Sequence, residues 1–325
     1  MRTVFLDHET LHLADLDTAG IDATLDNVTY WPDTQPDEVV ERIRDAEVLV
    51  VNKVRLNREQ LQASTSLRLI SLVATGSDNI DLDAARDLDI AVINIRSYCT
   101  PSVVQHVFAL ILNLTQQLDT YRNKVQKGEW AEAPAFSMLE PVTRELHDKT
   151  MGLIGLGALG GGVAAAARAF GMRVVAARLP WRSAASANEE GQGAPRLPLD
   201  DLLQQSDIVS LHCPLTEDTR HIINAETLAL MQPHALLINT ARGALVDSAA
   251  LVAALQAGRI GGAGIDVLAE EPPVNGDPLL DYHSNRLIVT PHMAWGAVES
   301  RQRALDQVLE NIRAFADGRE LNRLI

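Results

Sequence analysis

Four charged side chains near the end of the chain have types and positions that could do chemistry. Arg242, the adjacent acids Glu270 and Glu271, and His292 each follow a short apolar run that is typical of a strand. An imidazole beside a carboxylate can donate a proton near neutral pH, and a guanidinium can bind a carboxylate through two N–H groups. Each residue alone is more typical of a surface or core position. Because ligands bind beyond the carboxyl ends of strands in open α/β sheets, together they indicate acid–base chemistry on a small anion.

A glycine pattern lies upstream of these side chains. Residues 151–160 read MGLIGLGALG, in which Gly155, Gly157 and Gly160 follow an apolar run and begin a helix of small residues. Gly155 permits a tight turn, Gly157 lets a pyrophosphate approach the backbone, and Gly160 lets the helix pack closely on the strand. A glycine-rich turn without a ligand is the alternative. The position between a strand and a helix favours a dinucleotide site.

The next strand pattern, Arg173–Ala177, is followed by Arg178. An NAD-selective site normally carries an acid here, which binds the ribose 2′-hydroxyl. An arginine, with Arg182 close by, can instead pair with a 2′-phosphate. An ordinary solvated arginine is the alternative. The sequence therefore predicts that NADPH is preferred and that NADH is possible.

Apolar β-branched runs alternate with amphipathic segments along most of the chain, which predicts parallel sheets covered by helices. Four early runs predict one small α/β unit: Thr3–Leu6, Val48–Asn52, Leu69–Val73 and Ala91–Asn94. Six later runs predict a doubly wound dinucleotide-binding sheet: Met151–Ile154, Arg173–Ala177, Ile208–Leu211, Ala235–Asn239, Ala263–Asp266 and Leu287–Val289.

Two long helical patterns set the predicted domain boundaries. One begins at Thr100 and runs to about Tyr121, and the other covers Ala297–Ala316 with no strand after it. The second helix could therefore return to the first α/β unit. We expect a discontinuous substrate-binding domain of residues 1–98 plus 298–325 and a dinucleotide-binding domain of residues 99–297.

Composition narrows the possible partners. The 325 residues carry 43 acidic and 28 basic side chains, a net charge of −15, which repels nucleic acids and anionic membranes. The apolar runs are too short to span a bilayer, and the first residues turn acidic where a signal peptide would be apolar. Cys99 and Cys213 form no CxxC pair, and the histidines lack metal-ligand spacing. We expect a cytoplasmic protein with no metal, no nucleic-acid partner and no membrane contact.

Five motifs, in one order, resemble the D-isomer-specific 2-hydroxyacid dehydrogenase family across nearly the whole chain. They are Gly155–Gly160 (GLGALG), His212–Thr219 (HCPLTEDT), Asn239–Asp247 (NTARGALVD), Gly264–Pro272 (GIDVLAEEP) and Thr290–Trp295 (TPHMAW). The resemblance implies two doubly wound parallel-sheet domains, the larger a Rossmann domain and the smaller a flavodoxin-like substrate domain. It also implies a homodimer, which the apolar helix Val103–Leu114 suggests, although burial between the domains would explain that helix equally well.

The resemblance assigns roles to particular residues. Arg242 would bind the substrate carboxylate, Glu271 would pair with the histidine, and His292 would donate the proton, while Glu270 lies one place off the family pattern. A further set would contact the cofactor, with Asp266 at the nicotinamide carboxamide: Ala158, Leu159, His212, Cys213, Pro214, Thr219, Thr240, Ala241, Asp266 and His292.

Within the family, Thr100–Leu110 (TPSVVQHVFAL) and the spacing of His292 and Trp295 look like the glycerate dehydrogenase, or hydroxypyruvate reductase, branch. The backbone N–H groups of a glycine-containing loop can hold a carboxylate, although a plain turn and an exposed lysine are alternatives. The branch more often carries an acid at the position of Arg178, so its NADH preference is not carried over. The implied substrate contacts are Lys53, Ala74, Thr75, Gly76, Arg242, His292 and Trp295.

These features predict an oxidoreductase that transfers a hydride from NADPH, less well from NADH, to a small 2-keto acid. Hydroxypyruvate and glyoxylate are the expected substrates, with D-glycerate and glycolate as products. A dinucleotide-sensing binding protein, like the transcriptional corepressors that share this fold, is one alternative. A dehydrogenase of another small anion, such as phosphite or formate, is a second alternative.

Overall fold

The computed structural model describes residues 1–25, 27–179 and 194–325. The chain forms two compact units, one of Met1–Cys99 with Trp295–Ile325 and one of Thr100–Ala294. The predicted domain boundaries, 98/99 and 297/298, differ from these by one and three residues. Within the described part of the chain, no helix is both long and apolar enough to cross a bilayer.

The first unit contains a parallel sheet with the strand order β2-β1-β3-β4-β5, which is the flavodoxin-like order. The inner strands are buried apolar runs, as predicted, because helices cover both faces of such a sheet. The pattern of apolar runs does not predict the edge strand β2, Asn27–Tyr30, because this strand reads NVTY and its two end residues are exposed. The strands are β1 Arg2–Phe5, β2 Asn27–Tyr30, β3 Val48–Val51, β4 Leu69–Leu72 and β5 Ala91–Ile93.

Short helices and the last long helix of the chain cover the sheet of the first unit. On one face, Ala304, Val308 and Ile312 of the last helix pack with Phe5 and Val50. The helices of this unit are α1 Ala19–Thr24, α2 Val39–Ile43, α3 Arg58–Gln62, α4 Leu82–Asp87 and α12 Val298–Ala316, with 3-10 turns at His8–Leu11 and Leu13–Asp15.

The second unit contains a parallel sheet with the strand order β12-β11-β10-β9-β6-β7-β8, which is the Rossmann order with one further strand at the β12 edge. The predicted number of six strands is wrong, because the two-residue strand β8 pairs with the edge of β7. The prediction of two doubly wound α/β units is confirmed. The strands are β6 Thr150–Ile154, β7 Arg173–Ala177, β8 Arg196–Leu197, β9 Ile208–Leu211, β10 Leu236–Asn239, β11 Gly262–Ile265 and β12 Leu287–Val289.

The single long helix predicted from Thr100 is wrong at its end. The helix stops at Gln116, and a second helix begins after Gln117, whose φ of 54° lies in the left-handed region that interrupts a helix. The helices of the second unit are α5 Thr100–Gln116, α6 Leu118–Gln126, α7 Ala158–Ala169, α8 Leu199–Gln205, α9 Ala225–Leu230, α10 Ser248–Gln256 and α11 Pro278–Asp281, with a 3-10 turn at Gly243–Leu245.

Helix α5 lies directly on β11 because that strand carries glycines where the helix crosses it. A Cβ at Gly264 would lie 2.9 Å from the Cβ of Leu110, and one at Gly262 would lie 3.4 Å from Leu114. Val103, Val107 and Leu110 are buried. The apolar face of α5 is therefore covered by its own unit, and its pattern needs no dimer to explain it.

We predict that Gly264→Ala lowers the free energy of unfolding by about 1–3 kcal/mol, since the new methyl group forces α5 away from the sheet. Gly157→Ala is the matched control. Its methyl group would meet no described atom within 4 Å, and the φ of −93° suits alanine. Urea unfolding measures both variants. A Gly264→Ala protein as stable as the wild type would contradict the close packing of α5 on β11.

Candidate active site

Three of the predicted functional side chains follow neighbouring strands of the second unit. Strands β10, β11 and β12 lie side by side and parallel, so their carboxyl ends meet at one edge of the sheet. Arg242 follows β10, Glu271 follows β11 and His292 follows β12. The polar groups of this edge can therefore act on one ligand.

His292 and Glu271 form a direct pair. The Nδ1 atom of His292 lies 2.6 Å from Oε2 of Glu271, and both side chains are about one-third exposed, at 28% and 34%. The other carboxylate oxygen of Glu271 accepts a hydrogen bond of 2.8 Å from the backbone N–H of Leu268. Glu270 is different, since both of its carboxylate oxygens contact the Nδ2 atom of Asn275. The resemblance assigned Glu271, not Glu270, to the histidine, and the geometry pairs His292 with Glu271.

Arg242 lies beside the loop that carries Glu271. Gly243 packs so closely that a Cβ there would overlap the backbone of Leu268 and Ala269. The guanidinium is half-buried, and its Nη1 atom donates a hydrogen bond of 2.9 Å to the carbonyl of Ala241. The loops after β10 and β11 are therefore in backbone contact where the predicted site residues begin.

His292 has an unusual backbone conformation for a residue with a side chain. Its φ is 52°, a left-handed conformation that costs roughly 1–2 kcal/mol and persists only where its surroundings enforce it. Asp266 supplies that constraint. Its carbonyl accepts the N–H of His292 at 2.7 Å, and its carboxylate accepts the N–H groups of Met293 at 3.0 Å and Ala294 at 2.9 Å.

Asp266 is completely buried, yet it stays ionised. Burial alone would raise the pKa of its carboxyl group, but the nearby imidazole of His106 and the hydrogen bonds from Thr290 and the two backbone N–H groups outweigh burial and hold the pKa below its usual value. The sequence motif gave Asp266 a cofactor contact only. The motif did not predict that Asp266 also holds the turn at His292, because every residue type except proline can donate such a backbone hydrogen bond.

The glycine loop has the shape that a bound dinucleotide needs. Gly155 has a φ of 107°, and a Cβ there would lie within 2.6 Å of the His212 and Cys213 backbone. A Cβ at Gly160 would overlap the carbonyl of Gly155. Gly157 and Ala158 are exposed at the start of α7, where the first N–H groups of the helix lack helical partners. The loop leaves open space at Gly157 and fits a pyrophosphate group.

The neighbouring residues after β9 and β10 are largely buried. Among the described residues, His212 Nδ1 and Thr240 Oγ1 are buried polar atoms with no hydrogen-bond partner, and an added ligand could supply one. Burial lowers the pKa of His212 to about 4, so its imidazole is neutral. Burial raises the pKa of the Cys213 thiol to about 11. The Thr219 hydroxyl donates a hydrogen bond to the carbonyl of Pro214 and so stabilises the loop after β9.

Arg178 is exposed directly after β7. Its backbone N–H donates a hydrogen bond of 2.6 Å to the carbonyl of Leu197 in the edge strand β8. Arg178 therefore lies at the carboxyl edge of the sheet. It directly follows β7, the first strand after the glycine loop and α7. Arg182, the second arginine predicted to bind a 2′-phosphate, lies outside the described residues.

Lys53 and Trp295 come together within the first unit. The Nζ atom of Lys53 lies 5.5 Å from the centroid of the Trp295 ring, a distance at which a cation is attracted to an aromatic face. The buried Asp7 carboxylate accepts the N–H groups of Asn52, Lys53 and Val54 at 2.6–3.2 Å. Asp7 thus fixes the loop that carries Lys53.

The predicted anion-binding loop, Ala74–Gly76, is tied to the segment that follows β5. Thr75 donates its hydroxyl to the carbonyl of Ile95 at 2.9 Å, and Asn94 donates to the carbonyl of Thr75 at 2.7 Å. The first bond uses the side-chain hydroxyl of the loop residue Thr75, and the second uses its backbone carbonyl. Within the described ranges, no group of three or more His, Cys, Asp or Glu side chains is arranged to hold a metal ion.

Residues 108–294 match the family model described as the D-isomer specific 2-hydroxyacid dehydrogenase, NAD binding domain. The glycerate dehydrogenase of Methylorubrum extorquens is 40% identical over 99% of this chain and 98% of that protein. The hydroxypyruvate reductase of Blautia hydrogenotrophica is 35% identical over 99% of both chains. The solved D-lactate dehydrogenase of Aquifex aeolicus, complexed with NAD and lactic acid, is 30% identical with a TM-score of 0.81, over 98% of this chain and 96% of that one.

These matches cover the dinucleotide-binding unit in one case and nearly the full chain in the others. They confirm the resemblance to the glycerate dehydrogenase and hydroxypyruvate reductase branch that the motifs predicted. The chain therefore belongs to the D-isomer-specific 2-hydroxyacid dehydrogenase family.

Proposed function

We propose that the protein is an NADPH-preferring reductase of small 2-keto acids, with hydroxypyruvate and glyoxylate as first substrates and D-glycerate and glycolate as products. The hydrogen-bonded pair of His292 and Glu271, at the carboxyl edge of a dinucleotide-binding sheet, carries the proposal. Relatives named glycerate dehydrogenase, hydroxypyruvate reductase and glyoxylate reductase support this substrate class.

The proposed chemistry is reduction of a ketone. The nicotinamide, when bound, supplies a hydride to the carbonyl carbon, and a proton must then reach the carbonyl oxygen. His292 is suited to deliver that proton from Nε2, because its Nδ1 is held by Glu271. The Glu271 carboxylate fixes the orientation of the ring and stabilises its cationic form. Arg242 can bind the substrate carboxylate through two N–H groups and so orient the ketone.

The remaining predicted contacts belong to the same proposal. In the first unit, Lys53, the loop Ala74–Gly76 and Trp295 contact the substrate. In the second unit, the glycine loop, Thr240 and Ala241 contact the cofactor, while Cys213 and Thr219 contribute through the backbone, because their side chains are buried.

We also propose a homodimer in the cytoplasm. Exposed apolar side chains between residues 118 and 142 support self-association: Leu118, Val125, Trp130, Phe136, Leu139 and Val142.

A steady-state panel of keto acids tests the function, with oxidation of NADPH and NADH followed in parallel. The proposal expects turnover of hydroxypyruvate and glyoxylate and an excess of the D isomer in the glycerate formed. Tight dinucleotide binding without turnover of any keto acid would instead indicate a sensor. Oxidation of phosphite or formate with no keto-acid reduction would indicate a dehydrogenase of another anion.

We predict that His292→Ala lowers kcat by at least about 100-fold, because the proton donor is lost, while the Kd for NADPH stays near the wild-type value. Glu271→Gln should lower kcat in the same direction, since the amide cannot stabilise an imidazolium. Glu270→Gln is the matched control, because the neighbouring acid contacts Asn275 instead. Steady-state kinetics and fluorescence titration measure both quantities. Near-normal turnover by His292→Ala would remove this residue from the mechanism.

We predict that Arg178→Asp shifts the cofactor preference from NADPH toward NADH. An aspartate can accept the ribose 2′-hydroxyl but repels a 2′-phosphate. The ratio of the two kcat/KM values measures the shift, and Arg173→Asp, at the opposite end of the same strand, is the control. An unchanged ratio in Arg178→Asp would show that this arginine does not select the cofactor.

A further inference from the structure

His106 is a polar residue on a helix that is otherwise largely buried against the sheet. Its side chain is only 15% exposed. The Nε2 atom lies 3.0 Å from Oγ1 of Thr290 and 3.4 Å from the carboxylate of Asp266. The imidazole of His106 therefore contacts the two side chains, Thr290 and Asp266, that lie next to the turn at His292.

The chemistry of the three groups fixes the direction of the hydrogen bonds. Thr290 donates its single hydroxyl proton to the ionised Asp266 carboxylate, at 2.5 Å. The hydroxyl can then only accept from His106, so Nε2 of His106 must carry a proton. The result is a chain of donors that runs from His106 through Thr290 to Asp266.

The chain ends at the turn that carries the proposed proton donor. The oxygen of Asp266 that accepts from Thr290 also accepts the N–H of Met293, and the other oxygen accepts the N–H of Ala294. These two N–H groups follow His292 directly. A carboxylate held in one orientation therefore holds the left-handed conformation of His292.

Helix and strand geometry place His106 at this point. His106, Leu110 and Leu114 are spaced by four residues and share one face of α5. Gly262 and Gly264 are spaced by two in β11, and Asp266 continues this spacing directly after the strand ends at Ile265. Four helical residues rise about 6 Å and two strand residues about 6.6 Å. The two rows therefore stay in register, with Leu110 on Gly264 and His106 on Asp266.

We propose that His106 is a positioning residue for catalysis, which acts through Thr290 and Asp266 to hold His292 in the conformation that delivers the proton. This proposal rests on the proposed reductase function. Without the His106 donor, the hydroxyl of Thr290 can rotate toward other acceptors, and the carboxylate loses its fixed orientation. A small displacement of a reacting group can cost about 100-fold in rate.

The test compares His106→Leu, which removes the donor, with His106→Gln, whose amide nitrogen can stand near the position of Nε2. His234→Leu is the matched control. His234 also pairs with a carboxylate, that of Asp207 at 2.7 Å, but both residues precede strands at the amino edge of the sheet. For each variant we would measure kcat, KM for hydroxypyruvate, the Kd for NADPH and the Tm.

We expect His106→Leu to lower kcat by at least about tenfold, with the Kd for NADPH within about threefold of the wild type. His106→Gln should recover most of the lost kcat, and His234→Leu should keep the wild-type kcat. A kcat of His106→Leu equal to that of the wild type would overturn the proposal. So would equal losses in the leucine and glutamine variants, which would show that only the shape of the imidazole matters.

Thr290 supplies a second test, whose single variants do not depend on the folding of His106→Leu. Thr290→Val breaks the chain and should lower kcat, whereas Thr290→Ser keeps the hydroxyl and should not. The double variant His106→Leu/Thr290→Val should be no slower than the slower single variant, because either change breaks the same chain. Additive losses would overturn the proposal. If the wild type itself reduces no keto acid, the proposed function fails, which is a different result from normal turnover by the variants.

Discussion

The buried carboxylate of Asp266 is the interaction on which the candidate site depends. It lies at the end of β11 and accepts hydrogen bonds from the hydroxyl of Thr290 and the N–H groups of Met293 and Ala294. An ionised group in the interior persists only when such bonds compensate its lost hydration. Because the bonded groups flank His292, the same carboxylate enforces a backbone conformation that His292 would not adopt alone.

The architecture explains why this arrangement is available. Parallel strands β10, β11 and β12 bring their carboxyl ends together, and the loops after them carry Arg242, Glu271 and His292. Glycines in β11 let α5 approach closely enough for His106 to reach the carboxylate. The placement of the candidate acid–base residues therefore depends on three features: the close packing of α5 on β11, the order of strands β10–β12 and the ionised Asp266 carboxylate.

The sequence predicted the features that have a residue pattern. Apolar runs predicted the parallel sheets, the glycine spacing predicted the loop before α7, and motif spacing selected Glu271, which the structure places against His292. The sequence failed where the decisive contact is a backbone hydrogen bond or a tertiary neighbour. The half-exposed edge strand β2, the two-residue strand β8 and the break at Gln117 carry weak local signals. His106 could have been found from its four-residue spacing to Leu110, combined with the two-residue spacing of Gly262, Gly264 and Asp266 in and directly after β11.

Asp266→Asn tests the central claim most directly, because the amide keeps the shape of the carboxylate but offers one acceptor oxygen and one donor nitrogen. The N–H of Met293 or Ala294 then loses its acceptor, a loss of about 1–3 kcal/mol for a buried donor. Measured at saturating NADPH, so that weaker cofactor binding does not lower the rate, kcat with hydroxypyruvate should fall at least about tenfold. An unchanged kcat at saturating NADPH would contradict the role assigned to this carboxylate.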